Sequence, residues 1–190
     1  MKGVDSFIIS PSNSRLYDNV FEFESGSLIM SSSIENHEHT NREADVVSTP
    51  INYEGPIVPG SKIIVHHNVF RKYYDMRGEE NYASGLVMGD IYMVDMFQVY
   101  MYKNKSDYGW TAIDPYCFVA PIANDNTFNV SSEKEMFGHL IYNTKYLESQ
   151  GVYSGDVVSF RPDSEYEFNI DGKKLYRINS NNICLKHPER

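Results

Sequence analysis

Only two cysteines, Cys117 and Cys184, occur in 190 residues, and neither stands in a CxxC pair. That excludes a disulfide framework and points to a reducing cytoplasm. Alanine is scarce and tryptophan occurs once. No stretch sustains i, i+3, i+4 apolar spacing, so helix is expected only as a turn or so at 133–137 and 144–150. No run approaches the ~18 apolar residues of a membrane span. The opening stretch lacks the basic start and long apolar core of a signal peptide, so export is not expected. Positive charge is also short: 17 Lys and Arg stand against 26 Asp and Glu, for a net charge of −9. Duplex nucleic acid and anionic membrane surfaces both need a basic footprint, so neither is an expected partner.

The motifs of common catalytic sites are missing too. There is no GxSxG, no GxGxxG and no GxxxxGK[ST], and the carboxylates are scattered. No catalytic residue and no cofactor is therefore expected. His37 and His39 would share one face of an extended segment, which supplies two metal ligands but no third at a recognisable spacing. A solvated loop accounts for them, and no metal is expected. His66 and His67 would point to opposite faces of a strand, which argues against a joint site. Trp110, Tyr108 and the Tyr-rich stretch 92–102 could form a stacking face for nucleic acid, but in an acidic chain barrel core or subunit contact is the better account.

What the chain does have is sheet-forming material. Apolar residues make up 41%, with 15 Tyr and 10 Phe, and mean hydropathy is −0.46; aromatic and β-branched enrichment favours strands. The most informative stretch is 151–185. Gly155-Asp156 is a turn leading into Val157-Val158-Ser159-Phe160. Tyr166, Phe168 and Ile170 then alternate with Glu167 and Asn169, and Asp171-Gly172 turns the chain into Leu175-Tyr176-Arg177-Ile178. An Asp-Gly pair between strand patterns is a strong hairpin signal. Ile183-Cys184-Leu185 is a last short strand. Residues 58–66 echo 152–160, an internal repeat, and Tyr116–Ile122 resembles Phe7–Pro11 as a strand that could end a first unit or begin a second.

The order Gly-Asp-Val-Val-Ser-Phe, then Asp171-Gly172-Lys173-Lys174, then Asn182-Ile183-Cys184-Leu185 resembles the C-terminal half of GroES-type co-chaperonins. Ala44-Asp45-Val46-Val47 is similar to the family strand that follows its mobile loop, with Ala44-Asp45 in place of the usual glycine, and Gly138-His139-Leu140-Ile141-Tyr142 is similar to the same strand. The resemblance implies an all-β protein of one elaborated or two tandem GroES-like β-barrels. In the tandem case, residues 1–113 form a first barrel with a mobile loop at 24–43, and 114–190 form a second with a short turn at 124–132. Gly26, Leu28, Ile29 and Met30 are similar in order to the apolar segment with which the family docks on its chaperonin, with Ser27 intervening. The alternative is that Leu28-Ile29-Met30 is a buried barrel strand.

By this resemblance the chain is expected to be a non-catalytic co-chaperonin that caps a GroEL-like chaperonin ring while a client folds. It would self-associate into a ring, heptameric by analogy, in the cytoplasm. Its size is similar to that of the divergent co-chaperonins that phages encode, which implies a host cytoplasm. The alternative is a structural barrel that decorates or cements a virion or another assembly.

Overall fold

The computed structural model describes residues 1–17, 40–124 and 133–188, together with the backbone of Val20–Phe23 and Gly26–Ile29. The chain is all-β, with one short helix, α1 (Lys145–Ser149), among the described residues. It divides into two compact units, Met1–Gly109 and Trp110–Arg190. The division falls four residues before the boundary expected from the sequence.

In the first unit the strands are β1 (Phe7–Pro11), β2 (Val20–Phe23), β3 (Gly26–Ile29), β4 (Glu43–Ser48), β5 (Lys62–Val65), β6 (Lys72–Tyr74), β7 (Glu80–Tyr82), β8 (Leu86–Met88), β9 (Ile91–Val94) and β10 (Val99–Lys103). Six of them form one antiparallel sheet in the order β8-β9-β1-β4-β5-β10. β2 with β3, and β6 with β7, form separate two-stranded ribbons. Phe7, Ile9, Ala44, Ile63, Val65 and Met101 are fully buried in the core of this sheet, and Phe70 packs edge-on against Tyr92 at 4.9 Å.

The second unit holds β11 (Thr111–Ala112), β12 (Tyr116–Ala123), β13 (Glu133–Tyr142), β14 (Val157–Phe160), β15 (Tyr166–Ile170), β16 (Lys173–Asn179) and β17 (Ile183–Lys186). Its sheet runs β15-β16-β12-β13-β14-β17. Alternate residues of β12 are buried on both faces. Cys117 and Val119 pack with Leu140, Val158 and Ile178, whereas Phe118 meets Phe168 and Tyr142 edge-on. Thr144 caps α1, accepting the Leu147 N–H, and its hydroxyl is hydrogen-bonded to that of Ser180 at 2.9 Å.

These two orders are the same order. Strands β1, β4, β5, β8, β9 and β10 of the first unit take the places of β12, β13, β14, β15, β16 and β17 of the second. The registers agree along the five strands from β9 to β10 and their counterparts from β16 to β17. Ile9 faces Val46 and Tyr92, as Val119 faces Leu140 and Tyr176. Two irregularities repeat as well: the bulge between Ile8 and Ile9 matches that between Phe118 and Val119, and an extra residue interrupts both β10 and β17, Tyr100 in one and Cys184 in the other. Bulges re-aim a strand and are not scattered at random, so a shared pair marks an internal duplication. The spacing between equivalent residues shortens twice along the chain, once across 18–39 and once across 72–82. Both extra segments belong to the first unit.

Two local expectations change. Residues 133–137 are strand, not a helical turn; Met136 takes φ of 62°, which no helix accommodates. His66 lies just beyond β5, and its ring stacks on that of His67 at 4.2 Å, because the chain enters a 3₁₀ turn there and loses the strand alternation. Ile183–Lys186 pairs with β14 of its own chain and ends the sheet. Among the strands of each unit the order is linear, from β8 to β10 and from β15 to β17.

Candidate functional site

The place where the two units differ most is the connection from β1 to β4. After Pro11 a 3₁₀ turn at Ser12–Ser14 carries the chain off the sheet, with Asn13 and Ser14 in the left-handed region at φ of 59° and 53°. Small polar residues with side chains that bond locally tolerate that region best. The chain returns at Thr40, which bridges Tyr17 in antiparallel fashion. The residues that flank 18–39, Tyr17 and Thr40, thus meet at one narrow neck.

Asn41 closes the neck. It is almost fully buried. Its Nδ2 donates to the carbonyl oxygens of Ser12 (3.2 Å) and Arg15 (2.7 Å), and its Oδ1 accepts the Glu43 N–H at 2.9 Å. Its own N–H donates to the Leu16 carbonyl at 2.9 Å. One amide side chain therefore spans the outgoing and returning strands with every bond inside the protein, where such bonds are worth most. Ser12, also buried, donates its hydroxyl to Asp45 on β4 at 3.1 Å. The Tyr17 hydroxyl accepts the Lys72 N–H at 2.9 Å, which roots the second extra segment, the β6–β7 ribbon, beside the first.

Three of the four residues expected to dock, Gly26, Leu28 and Ile29, lie on β3, and Met30 lies outside the described residues. β3 pairs with β2 in the register Val20 to Ile29, Phe21 to Leu28, Glu22 to Ser27 and Phe23 to Gly26. Paired residues share a face and neighbours along a strand alternate. His37 and His39 lie outside the described residues.

The β6–β7 ribbon is built by Asp75, whose Oδ1 accepts the N–H groups of Arg77 and Glu79 at 2.8 and 3.0 Å. Those bonds hold its carboxyl below the usual range. Lys72 pairs with Glu80 across the strands at 2.7 Å, and Tyr73, Tyr74, Met76 and Tyr82 are exposed. In the second unit, Lys174 joins Glu133 and Glu167 at 3.0 and 3.1 Å, and Arg177 lies over the rings of Tyr116 and Tyr166. These groups tie strands together on the sheet surface. Burial pushes the Cys117 thiol up to about 12, so it stays protonated and inert at neutral pH. Among the described residues no three His, Cys, Asp or Glu side chains gather as a metal site, and no helix is long and apolar enough to cross a membrane.

Sequence reasoning found the apolar segment but not the neck that presents it. The signal for Asn41 was slight, a polar residue closing a polar tract just before an alternating strand. Comparison with models of known protein families and with curated proteins finds no match.

Proposed function

We propose that the protein is a co-chaperonin-like binding protein, which caps a chaperonin ring through the segment carried on residues 18–39 and does no chemistry of its own. The observation that carries this reading is the neck at Tyr17, Thr40 and Asn41. It fixes both ends of the segment 18–39 on a duplicated β unit, and that segment includes the strand Gly26–Ile29, whose one strand partner among the described residues is the adjacent β2. The resemblance of 151–185 to GroES-type proteins adds to it. Docking would involve Gly26, Leu28, Ile29 and Met30, and the ordering cost of such a segment keeps each contact modest, so that release remains possible. Self-association into a ring would multiply those contacts through effective concentration.

The test is co-sedimentation of the whole protein with a GroEL-type chaperonin ring and nucleotide, comparing wild type with Leu28→Ser/Ile29→Ser. Binding by wild type that the double substitution removes is the expected result. No binding by wild type overturns the reading and leaves a structural barrel, in a virion or another assembly, as the alternative.

A further inference from the structure

The two segments by which the first unit is longer than the second, 18–39 and 72–82, are fastened to each other at their roots. Tyr17 and Thr40, which flank the first segment, bridge one another, and the Tyr17 hydroxyl accepts the N–H of Lys72, the first residue of the β6–β7 ribbon, at 2.9 Å. That ribbon is a sheet of two strands, with no third among the described residues. Tyr73, Tyr74 and Tyr82 are exposed and Met76 at its tip is fully so. It buries little of its own, and an isolated two-stranded ribbon is at best marginally stable in water. Its order therefore depends on what holds its root. Phe70 is fully buried and packs edge-on against Tyr92 at 4.9 Å, Ala83 donates its N–H to the Arg71 carbonyl at 3.1 Å, and Lys72 is bonded to Tyr17. Burial first, and then the charge of Asp90, push the Tyr92 hydroxyl above its usual range, and Tyr82, Lys72 and Tyr17 act on it too. Residues of the ribbon and of the neck thus lie within electrostatic reach of the same side chain.

We propose that the β6–β7 ribbon and the neck open and close as one unit, with the Tyr17 hydroxyl as the link between them, so that the ribbon sets how firmly the two ends of 18–39 are held. This goes beyond the co-chaperonin reading and holds whether or not the segment docks on a ring. Opening the neck withdraws the acceptor of the Lys72 N–H, and fraying the ribbon withdraws the donor from Tyr17. Either event takes one bond from an element that has few, and one bond is a large share of the stability of a marginal ribbon. Coupling of this kind is reciprocal: whatever steadies the neck, a partner bound to 18–39 included, steadies the ribbon by the same factor. Asp75 gives a handle on it from the far end. Its Oδ1 accepts the N–H groups of Arg77 and Glu79 within the tip of the ribbon, while the neck meets the ribbon at Lys72.

The test is amide hydrogen exchange followed by NMR on the whole protein as wild type, Asp75→Ala, Tyr17→Phe and the double variant. The neck is read at the N–H of Asn41, which donates to the Leu16 carbonyl, and at that of Glu43, which donates to the Asn41 side chain. The ribbon is read at the N–H groups of Gly78 and Ala83, and the second unit, as the control for folding, at those of Leu140 and Gly155. The expected result is that Asp75→Ala quickens exchange at Asn41 and Glu43, as well as at Gly78, by at least about threefold, because exchange tracks the open population. Added to Tyr17→Phe, the same substitution should change the two neck amides by less than about 1.5-fold, since independent sites add without interaction. Leu140 and Gly155 should keep their wild-type rates throughout. A fifth protein, in which two glycines replace residues 73–81, removes the ribbon without relying on Asp75, and should quicken Asn41 and Glu43 at least as much. Neck amides that keep their wild-type rates in that protein, or in Asp75→Ala while Gly78 quickens, overturn the proposal. Neck amides that respond to Asp75→Ala equally with and without the Tyr17 hydroxyl overturn Tyr17 as the link.

Discussion

Gly60 and Gly155 occupy the same place in two copies of one turn. Their φ angles are 83° and 97°, and each donates its N–H at 2.7 Å to the strand it has just left, Gly60 to the Val46 carbonyl and Gly155 to that of Leu140. The residue that follows closes the turn in each case. Val46 donates to the Ser61 carbonyl at 2.8 Å, and Leu140 to that of Asp156 at 2.9 Å. The Ser61 hydroxyl accepts the Val58 N–H, as the Asp156 carboxylate accepts that of Tyr153. A turn that recurs with its donors, acceptors and left-handed residue in place is the atomic form of the echo between 58–66 and 152–160.

Only glycine takes these φ values without strain, so Gly60→Ala and Gly155→Ala should each destabilise their unit by about 1–2 kcal/mol. A Cβ at Gly155 would meet nothing within 4 Å, so its cost is backbone strain alone. At Gly60 it would come within 3.0 Å of the end of the Lys105 side chain, which can move aside. Urea denaturation followed by Trp110 fluorescence should show the Gly155→Ala loss in the second unit, and circular dichroism the Gly60→Ala loss.

The two turns should differ in their response to acid. The Asp156 carboxylate pairs with Lys186 at 2.7 Å and accepts the Tyr153 N–H, and these two bonds, in that order, hold its pKa below the ordinary carboxylate value. A pKa depressed on folding adds stability that is fully present above the unfolded value and is lost as pH falls through the folded one. Asp156→Asn should therefore lower the denaturation midpoint of the second unit at pH 7, and the gap to wild type should close below about pH 4. Ser61 has no proton to gain in that range, so its turn should be indifferent to the same change.

How much of this was legible from the sequence can be argued residue by residue. Asp171-Gly172 announced its hairpin because both central residues of that turn need φ > 0, and they have 50° and 73°. The strand at 166–170 was legible because Phe168 and Ile170 are buried and alternate with exposed residues, whereas 157–160 and 183–186 were legible as short apolar runs after turn-forming residues. The β6–β7 ribbon was not, since Tyr73, Tyr74 and Tyr82 are exposed and Asn81 is only half-buried, so no burial period is written into them. Residues 133–137 misled for a related reason: most of them are exposed or half-buried, so helix and strand leave the same trace. The apolar segment at Leu28 stood out by composition. Its register against Phe21 is set by a pairing between strands, which one segment read alone does not contain.

The duplication also exposes one position where the copies cannot exchange residues. Ala44 on β4 corresponds to Gly138 on β13, since Ala44 faces Pro11 and Gly138 faces Pro121. Ala44 is fully buried and accommodated. A Cβ at Gly138 would sit 2.2 Å from Val119 Cγ1 and 2.5 Å from the Ala120 carbonyl oxygen, and the second of these is backbone that cannot swing away. Gly138→Ala should cost about 1–3 kcal/mol by overpacking, read by Trp110 fluorescence. Ala44→Gly should cost no more than about 1 kcal/mol, from the extra freedom of the unfolded chain and one lost methyl contact.

The neck offers the sharpest separation between holding the fold and presenting the segment. Removing the Asn41 amide leaves the carbonyls of Ser12 and Arg15 and the N–H of Glu43 without the partner they have now. A buried polar group that loses its bond costs about 1–3 kcal/mol, so Asn41→Ala should destabilise the first unit by at least about 2 kcal/mol. Asn41→Asp should be worse at neutral pH, because a carboxylate oxygen would then face two carbonyl oxygens where an NH₂ now donates to both. Limited proteolysis follows the local opening this causes, and its rate tracks the population of the open form. Cleavage within residues 24–43 should therefore quicken in the order wild type, Asn41→Ala, Asn41→Asp, while the 114–190 fragment stays intact in all three. If the segment docks as proposed, Asn41→Ala should also weaken binding to the chaperonin ring without changing any residue of the segment itself, because a loosened neck adds ordering entropy to the cost of binding. Unchanged proteolysis and unchanged binding in Asn41→Ala would show that the amide merely fills space at the neck.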